Sequence, residues 1–593
     1  MFARVLVANR GEIAVRVIRA LEELGVESVA VYSELDRKAL HARRADAAYL
    51  LDGANPVESY LNIARILEVA RESGAEAIHP GYGFLAENAA FAAACEEAGI
   101  VFIGPPASAI EAMGSKTRAR ELMAGAGVPI VPGTTEPVAS AAEARRIIES
   151  EIGYPVAVKA AGGGGGKGFR VALAGSELED AFAGAAREGE KFFGDDTVYL
   201  ERYLPDPRHV EVQVLADAHG AVVHLGERDC SIQRRHQKLI EESPAPPWIV
   251  DAALRERIGR IATDAARAVG YRGAGTIEGL LADGEYFFLE MNTRVQVEHC
   301  VTELTSGIDI VKTGIRVAAG EPLAFSQDDV VLRGHAIECR INAEDAALGF
   351  VPAPGRIVSY HEPSGPGVRV DSGVAAGSEI SPMYDPMIAK LIVWDSDRAE
   401  ATRRMLRALA EYEIGGLTTL LPFHRALLAT EQWERGETCR DLLEDPDWLR
   451  ASAASSADAL ADAEPPGDGA VALDYTVEVS GRRFDVKVIG PPGGPLASAN
   501  GAGGPRTKRV LRERSKTAVS GDVLSSPMQG TVLKIAIELG AQVEEGTLVA
   551  IIEAMKMENE VTAHKSGTVA ELPISVGASV GAGEPLAVIS SPA

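Results

Sequence analysis

Short apolar runs alternate with amphipathic stretches along the first 110 residues of the chain. The apolar runs predict strands at 4–9, 28–33, 77–82 and 101–104, and the amphipathic stretches predict helices over about 12–24, 59–73 and 89–98. Strict alternation of strand and helix is typical of a parallel sheet with crossover helices. The loops that follow the strands would then face a ligand at the carboxyl edge of the sheet.

A mixed pattern follows between about residues 116 and 446. Alternating apolar and polar positions predict hairpins over 211–227 and 276–292, and the second hairpin would turn at Asp283-Gly284. A glycine-rich stretch within 156–172 separates two further short strands. Glycines let backbone N–H groups approach phosphate oxygens, although a plain flexible loop would have the same composition. The nearby Lys116 and Lys159 favour a nucleotide triphosphate as the ligand.

The composition changes abruptly near residue 451. Segments 451–470 and 490–505 are rich in Ala, Gly and Pro, which is typical of linkers. Between them, 475–489 predicts a single hairpin with its turn at Ser480-Gly481. The basic segment 506–516 is either a solvated tether or a docking site for an acidic surface.

An internal repeat occupies the last seventy residues. Residues 530–553 match 567–590 at an offset of 37, with identity at ten of twenty-four positions. Two copies of one β unit predict an all-β domain with two-fold pseudosymmetry. Lys556, flanked by Met555 and Met557, lies where the two copies meet.

Length and charge narrow the class of protein. A chain of 593 residues is too long for a single core and predicts several domains. Its 85 acidic and 59 basic residues give a net charge of −26, which opposes nucleic-acid binding. The five cysteines form no C-x-x-C pair, so we expect packed thiols in a reducing compartment. Without a long apolar stretch or a signal peptide, we expect a cytoplasmic protein that enters no membrane.

A row of polar residues at 288–299 is the strongest local signal for chemistry. If this stretch is extended, one face carries Glu290, Asn292, Arg294, Gln296 and Glu298. A half-exposed strand would show the same alternation. However, the hairpin turn brings Glu278 opposite 289–290, and two carboxylates with an amide oxygen suit Mg²⁺. The other end of the row would offer a cation, an amide and a base to a small anion.

Two resemblances bring these signals together. The E-A-M-K-M stretch at 553–557, within its duplicated surroundings, resembles the biotinyl domain of biotin-dependent carboxylases. Residues 1–446 resemble the ATP-grasp fold and, more narrowly, the biotin carboxylase family. This second resemblance depends on the glycine-rich loop and on the motifs at 9–14, 79–88, 226–246, 290–299 and 384–392.

The resemblance implies a fold class and domain boundaries. We expect an α/β biotin carboxylase N-terminal domain, an α+β ATP-grasp domain, a biotin carboxylase C-terminal domain and a separate all-β biotinyl domain, a flattened β-barrel. The predicted bounds are 1–115, 116–330 with a mobile lid at about 131–204, 331–446, a linker with the hairpin at 447–520, and 521–593.

The resemblance also implies roles for individual residues. The residues expected to surround ATP are Lys116, Lys159, Gly164, Gly165, Gly166, Glu201, Arg202, Tyr203, Leu204, His209, Gln233, His236 and Lys238. Mg²⁺, with Mn²⁺ as the alternative ion, would be held by Glu278, Glu290 and Asn292. Bicarbonate would be bound by Arg294, Gln296 and the Val297 backbone, with Lys238 nearby. Glu298 would be the general base, Arg340 would stabilise the biotin enolate, and Lys556 would carry biotin.

In this family, ATP and bicarbonate carboxylate biotin, and the carboxybiotin is consumed by a carboxyltransferase. Residues 447–520 leave no room for that second enzyme, so we expect it on a separate β subunit. The chain would then be the α subunit of an acetyl-, propionyl- or broader acyl-CoA carboxylase of fatty acid metabolism. It would be modified by biotin protein ligase and form homo-oligomers within a hetero-oligomeric complex. The alternatives are a component of a pyruvate or urea carboxylase, or a non-catalytic carrier or scaffold.

Overall fold

The computed structural model describes residues 1–53, 55–161, 168–454, 471–479, 482–490, 522–526, 530–554, 557–581 and 583–590. It divides into two compact units, and Met1–Ser452 form the bulk of the first. Among the helices of these described ranges, none is long and apolar enough to cross a membrane. All five cysteines are buried and free of disulfides.

A parallel sheet of five strands forms the amino-terminal region, as the alternating pattern predicts. In chain order its elements are β1 Arg4–Val7, α1 Gly11–Leu24, β2 Glu27–Tyr32, α2 Leu40–Arg44, β3 Ala47–Leu50, α3 Ile63–Ser73, β4 Ala77–His79, α4 Ala89–Glu97, β5 Val101–Phe102 and α5 Ala107–Gly114. The strands lie in the order β3-β2-β1-β4-β5. Sequence analysis missed β3, a run of four residues. It also extended β1 to Asn9, whose side chain instead bonds the carbonyls of Pro80 and Tyr82.

The next region is a small antiparallel sheet packed with helices. Its elements are α6 Lys116–Gly125, α7 Ala141–Ile147, a π-helical turn at Ile148–Ile152, β6 Val156–Ala160, β7 Phe169–Ala172, α8 Leu178–Phe193 and β8 Val198–Arg202. The strand order is β7-β6-β8. Residues 138–200 supply a hydrophobic cluster of their own, so this region has a separate core. Its predicted mobility as a lid stays a prediction.

An eight-stranded antiparallel sheet combines five strands from 208–292 with three strands from 335–395. It contains β9 Arg208–Ala216, β10 Val222–Arg234, β11 Gln237–Ser243, β12 Gly273–Ala282, β13 Glu285–Asn292, β14 His335–Asn342, β19 Val368–Ser372 and β21 Met387–Asp395. The order is β13-β12-β9-β10-β11-β14-β21-β19. Helices α9 Ala252–Ala268, α10 His299–Ser306 and α11 Ile310–Ala318 occur between its strands. Both predicted hairpins are confirmed, and Glu278 lies opposite Glu290 in the register.

Short strands and helices complete the first unit. They are β15 Glu344–Asp345, β16 Val351–Pro352, β17 Gly355–Arg356, β18 Ser359–His361, β20 Glu379–Ile380, α12 Arg398–Glu411, β22 Glu413–Gly415, α13 Leu421–Leu428, α14 Glu431–Arg435, α15 Arg440–Glu444 and α16 Pro446–Ala454. Single 3₁₀ turns occur at Glu34–Asp36, Gln327–Asp329 and Ala346–Leu348. The largest hydrophobic core of this unit packs α12 and α13 against β14 and β21.

The carboxy-terminal strands reproduce the sequence repeat. They are β25 Val523–Ser525, β26 Gly530–Ile535, β27 Gln542–Val543, β28 Leu548–Ala554, β29 Met557–Thr562, β30 Gly567–Glu571, β31 Ser579–Val580 and β32 Pro585–Ser590. The first strand of each copy begins 37 residues from its counterpart, and so do the second and the third. Two four-stranded sheets result, β25-β32-β30-β27 and β29-β28-β26-β31, in which equivalent strands take equivalent places. The predicted pseudosymmetric all-β domain is confirmed.

A separate two-stranded sheet precedes this domain. Strands β23 Val471–Val479 and β24 Arg482–Gly490 pair antiparallel along their full length. They begin and end farther out than the predicted hairpin at 475–489. The predicted turn residues Ser480 and Gly481 lie outside the described residues, and so does the basic segment 506–516.

Candidate active site

A cavity of about 1050 Å³ lies beside the eight-stranded sheet of the first unit. Its walls contain every site residue predicted from sequence that the structure describes within this unit. Those residues are Lys116, Lys159, Glu201, Arg202, Tyr203, Leu204, His209, Gln233, His236, Lys238, Glu278, Glu290, Asn292, Arg294, Gln296, Val297, Glu298 and Arg340. Gly164, Gly165, Gly166 and Lys556 lie outside the described residues.

Lys238, on β11, occupies the inner end of the cavity. Its ammonium group contacts three carboxylates, at 2.5 Å from Glu211, 3.0 Å from Glu278 and 2.7 Å from Glu298. Burial disfavours the charged form of Lys238, but the three carboxylates outweigh burial and raise its pKa above the usual range. The inner end therefore holds a fixed positive charge that is surrounded by acids.

Glu298 is shared between two cations. Its second carboxylate oxygen accepts a hydrogen bond from Arg340 at 2.9 Å, and Arg340 also donates to Glu241 at 2.6 Å. Burial favours the neutral form of Glu298, yet Lys238 and Arg340 hold its pKa well below the usual range. The Glu298 carboxylate is therefore ionised at neutral pH, which is the form that a general base requires.

Glu278 lies at the centre of the predicted metal site. One of its oxygens accepts from Asn292 and Gln296, each at 2.7 Å, and the other lies 3.0 Å from His209 Nε2. Burial disfavours its ionised form, but Lys238 and His209 keep its pKa well below the usual range. Glu290, directly opposite on β13, is half-buried and is bonded by Lys116 at 3.0 Å. Two carboxylates and an amide on paired strands are the oxygen donors that Mg²⁺ prefers, so these residues fit that ion.

Sequence analysis missed the buried residues that support this set. Arg228, on β10, is fully buried and donates to Glu211 at 2.6 Å and to the Gln296 amide oxygen at 2.6 Å. The Gln296 amide nitrogen is bonded to Glu278, so both ends of that side chain are fixed. One sequence signal could have revealed part of this supporting set. Polar residues alternate along β9 at 209, 211 and 213, as they do at 290–298.

The extended conformation predicted for 288–299 is wrong beyond Asn292. There β13 ends, because the Thr293 amide donates to the Glu87 carboxylate at 3.0 Å instead of joining the ladder. Glu87 also accepts from Arg294 Nε at 2.8 Å, and Arg294 donates to Asn292 at 2.9 Å. The five polar side chains nevertheless all reach the cavity. Glu87, which comes from the amino-terminal region, is a further residue that sequence analysis did not assign.

The outer end of the cavity is bounded by β6 and β8. Lys159 and Arg120 both form salt bridges with Glu201, which is buried, and the two cations keep its pKa below the usual range against the effect of burial. Gly168, at the end of the glycine-rich stretch, has φ +71°, and a Cβ there would lie 2.6 Å from that of Ala160. A side chain at this position would therefore be strained and would clash with β6.

Family comparisons match nearly the whole chain. The family descriptions and the residues that they match are "Biotin carboxylase, N-terminal domain" at 1–110, "Carbamoyl-phosphate synthase L chain, ATP binding domain" at 115–326, "Biotin carboxylase C-terminal domain" at 338–445 and "Biotin-requiring enzyme" at 522–589. The chain belongs to the biotin carboxylase family. Biotin carboxylases of this kind carboxylate biotin at the expense of ATP, and this chain carries a biotin-attachment domain in addition.

Individual relatives agree with this assignment. The chain is 48% identical over 572 residues to the "Biotin-dependent acyl-coenzyme A carboxylase alpha3 subunit" of Mycobacterium leprae, covering 95% of this chain and 94% of that one. It is 56% identical to a pyruvate carboxylase subunit of Methanothermobacter thermautotrophicus, over 74% of this chain and 88% of that one. The solved biotin carboxylase domain of Hydrogenobacter thermophilus 2-oxoglutarate carboxylase, in complex with MgADP, ADP and bicarbonate, superposes with a TM-score of 0.73. It is 50% identical and covers 76% of this chain and 99% of that one.

Biotin, ATP and Mg²⁺ are the cofactors of this family and hence of this biotin carboxylase. The biotin-attachment domain coincides with the duplicated β strands. In that domain β28 ends at Ala554 and β29 begins at Met557, on either side of the predicted attachment lysine in the sequence.

Proposed function

We propose that the chain is the α subunit of an acyl-CoA carboxylase, which carboxylates biotin attached to Lys556 and supplies it to a separate carboxyltransferase β subunit. The observation that carries this proposal is the likeness to the Mycobacterium leprae α3 subunit, which spans both the biotin carboxylase region and the attachment domain. Acetyl-, propionyl- or longer acyl-CoA would be the final acceptor.

The nucleotide binds at the outer end of the cavity in this proposal. Lys116 and Lys159 are salt-bridged there to Glu290 and Glu201, and phosphate oxygens replace those carboxylates as their partners. Bonds from lysine to phosphate are charge-assisted, as the bonds to the two carboxylates are, so both ammonium groups keep an anionic partner when the nucleotide binds. The segment 201–204 contacts the base, and Glu278, Glu290 and Asn292 hold Mg²⁺, which neutralises charge on the terminal phosphates.

Bicarbonate binds at the inner end, between Arg294 and Lys238. A planar guanidinium suits a planar oxyanion. The anion competes with Glu298 for the Lys238 ammonium, which raises the proton affinity of the Glu298 carboxylate as the substrate arrives. Glu298 then accepts the bicarbonate proton while a bicarbonate oxygen forms a bond to the terminal phosphorus of ATP and the bond from that phosphorus to ADP breaks, which gives carboxyphosphate and releases ADP.

Arg340 is the cation available to the biotin ring. Its guanidinium lines the cavity, where Glu241 and Glu298 fix its orientation and raise its pKa above the usual range against the effect of burial. A fixed cation stabilises the enolate oxygen of biotin as that oxygen gains negative charge, a contribution of about 3–4 kcal/mol.

Reconstitution with candidate carboxyltransferases tests the proposed acceptor. The purified chain, biotinylated and mixed with an acyl-CoA carboxyltransferase, should incorporate labelled bicarbonate into acetyl-CoA or propionyl-CoA and not into pyruvate or 2-oxoglutarate. Transfer to pyruvate or to 2-oxoglutarate, with the corresponding carboxyltransferase, would instead favour the class of the Methanothermobacter relative or that of the Hydrogenobacter enzyme.

The attachment site has its own test. Lys556→Arg should abolish avidin binding while the chain still carboxylates free biotin, because the arginine side chain accepts no biotin. Lys565→Arg, at a lysine of the same domain, is the matched control and should keep full avidin binding. Avidin binding by the Lys556→Arg chain would place biotin elsewhere.

A further inference from the structure

Lys390, on β21, is fully buried behind the segment that we propose as the bicarbonate site. Its ammonium group donates to the Val297 carbonyl oxygen at 2.6 Å and lies 3.1 Å from Cys300 Sγ. Two carboxylates compensate its charge, Glu12 at 3.4 Å and Asp371 at 3.9 Å. A lysine is almost never fully buried unless it is paired, so this position has a specific structural cause.

The bonded carbonyl lies in a stretch that belongs to no regular element. Residues 293–298 separate the end of β13 from the start of α10. The Gln296 carbonyl there accepts from the His299 ring nitrogen Nδ1 at 2.8 Å, whereas the nearest backbone amide reaches it only at 3.4 Å. Two consecutive carbonyl groups are therefore held by side chains, those of His299 and Lys390, in place of a strand ladder.

The same stretch faces the cavity. Gln296, Val297 and Glu298 all line it, while Lys390 and His299 lie on the protein side and outside the lining. The hydrogen bonds of Lys390 and His299 therefore fix the backbone of 296–297 from the protein interior, on the side opposite to the cavity. A displacement of ~1 Å at such a backbone can cost a factor of ~10² in rate.

We propose that Lys390 and His299 are positioning residues, which hold the backbone of 296–298 in the geometry that bicarbonate requires. This inference rests on the proposed function, in which that segment binds bicarbonate. Neither residue touches the substrate. Their loss should weaken bicarbonate use and leave nucleotide use intact, because the residues proposed to bind the nucleotide lie outside 293–299.

The first test measures ADP formation by the full chain with free biotin, varying bicarbonate and ATP separately. Lys390→Met should raise the KM for bicarbonate by about tenfold or more and leave the KM for ATP within about twofold. Arg398→Met is the matched control, since Arg398 is also a largely buried cation that bonds a carboxylate, that of Glu242, and a backbone carbonyl, that of Trp433, outside the cavity lining. An unchanged KM for bicarbonate in Lys390→Met, or an equal rise in the control, would overturn the inference.

The second test avoids leaving buried charges without a partner. Burial lowers the pKa of His299 to about 3, so His299→Leu removes a hydrogen-bond donor from a neutral side chain. His299→Asn places an amide nitrogen near the position of Nδ1 and should restore the KM for bicarbonate that His299→Leu raises. If Lys390→Met does not fold, this pair decides, and equal KM values for the two His299 variants would overturn the inference. Failure of the proposed function is distinct, because ADP formation by the unmodified chain would then not depend on bicarbonate.

Discussion

The two ends of the cavity organise their charges differently. At the outer end, Lys116 and Glu290 form one salt bridge, and their side chains are 23% and 37% exposed. At the inner end, Lys238 contacts three carboxylates that are almost completely buried. The partly exposed Lys116–Glu290 pair can exchange its partners for those of a large ligand at small cost, whereas the buried charges around Lys238 are fixed before any substrate arrives. This difference suits an outer nucleotide site and an inner site for a small anion.

Removing Lys238 at the inner end and removing Lys116 at the outer end should give the largest difference in stability between the two ends. Lys238→Met leaves three buried carboxylates without their shared partner and should destabilise the protein by about 3–5 kcal/mol. Lys116→Met breaks a partly exposed pair and should cost less than about 1 kcal/mol. Urea unfolding of both variants measures the contrast. Equal losses of stability would show that the inner cluster is not fixed in the way described.

Glu344 is a buried glutamate whose pKa is raised by burial in spite of Arg234, and its pH dependence sharpens the contrast. Burial raises the pKa of Glu344 to about 7, whereas cations lower that of Glu298. Between the unfolded pKa near 4.3 and pH 7, folded Glu344 holds more protons than unfolded Glu344, so its contribution to stability falls as the pH rises. Glu344→Gln should therefore gain roughly 2–3 kcal/mol relative to the natural chain between pH 5 and pH 7.5.

Urea unfolding at several pH values checks this prediction, with Glu431→Gln as the control at an exposed glutamate whose partner, Arg435, stays charged throughout this range. A pH-independent difference between Glu344→Gln and the natural chain would contradict the pKa shift of Glu344.

Substitution of Glu87 should have the smallest of these predicted effects. It is 40% exposed and bonds Arg294 from the amino-terminal region. Glu87→Gln should raise the KM for bicarbonate by about fivefold and leave the KM for ATP unchanged, because the guanidinium keeps its charge but loses one of its fixed contacts. Steady-state kinetics of ADP formation measures both constants. Glu68→Gln, at an exposed glutamate of α3, is the control, and an effect on ATP alone would contradict this placement of Arg294.

Local sequence patterns predicted much of the fold and many of the residues that line the cavity. The Asp283-Gly284 turn determined the register that places Glu278 opposite Glu290, and the repeat at an offset of 37 predicted the pseudosymmetric all-β domain at the carboxy terminus. Sequence analysis did not identify the buried cations Arg228 and Lys390, since polarity alone suggests that such residues lie at the surface. Their burial depends on partners far away in the sequence, such as Glu12 for Lys390. No local spacing encodes contacts of that kind.

The most direct measurement compares Glu298→Gln with the natural chain in bicarbonate-dependent ADP formation and in nucleotide binding. Loss of the buried base should lower the bicarbonate-dependent rate by about 10³-fold, since general bases contribute about 10²–10⁴-fold. The dissociation constant for ADP should change by less than about twofold, because the outer end keeps its own charges. A bicarbonate-dependent rate within about tenfold of the natural chain would contradict the assignment of the base to the inner end.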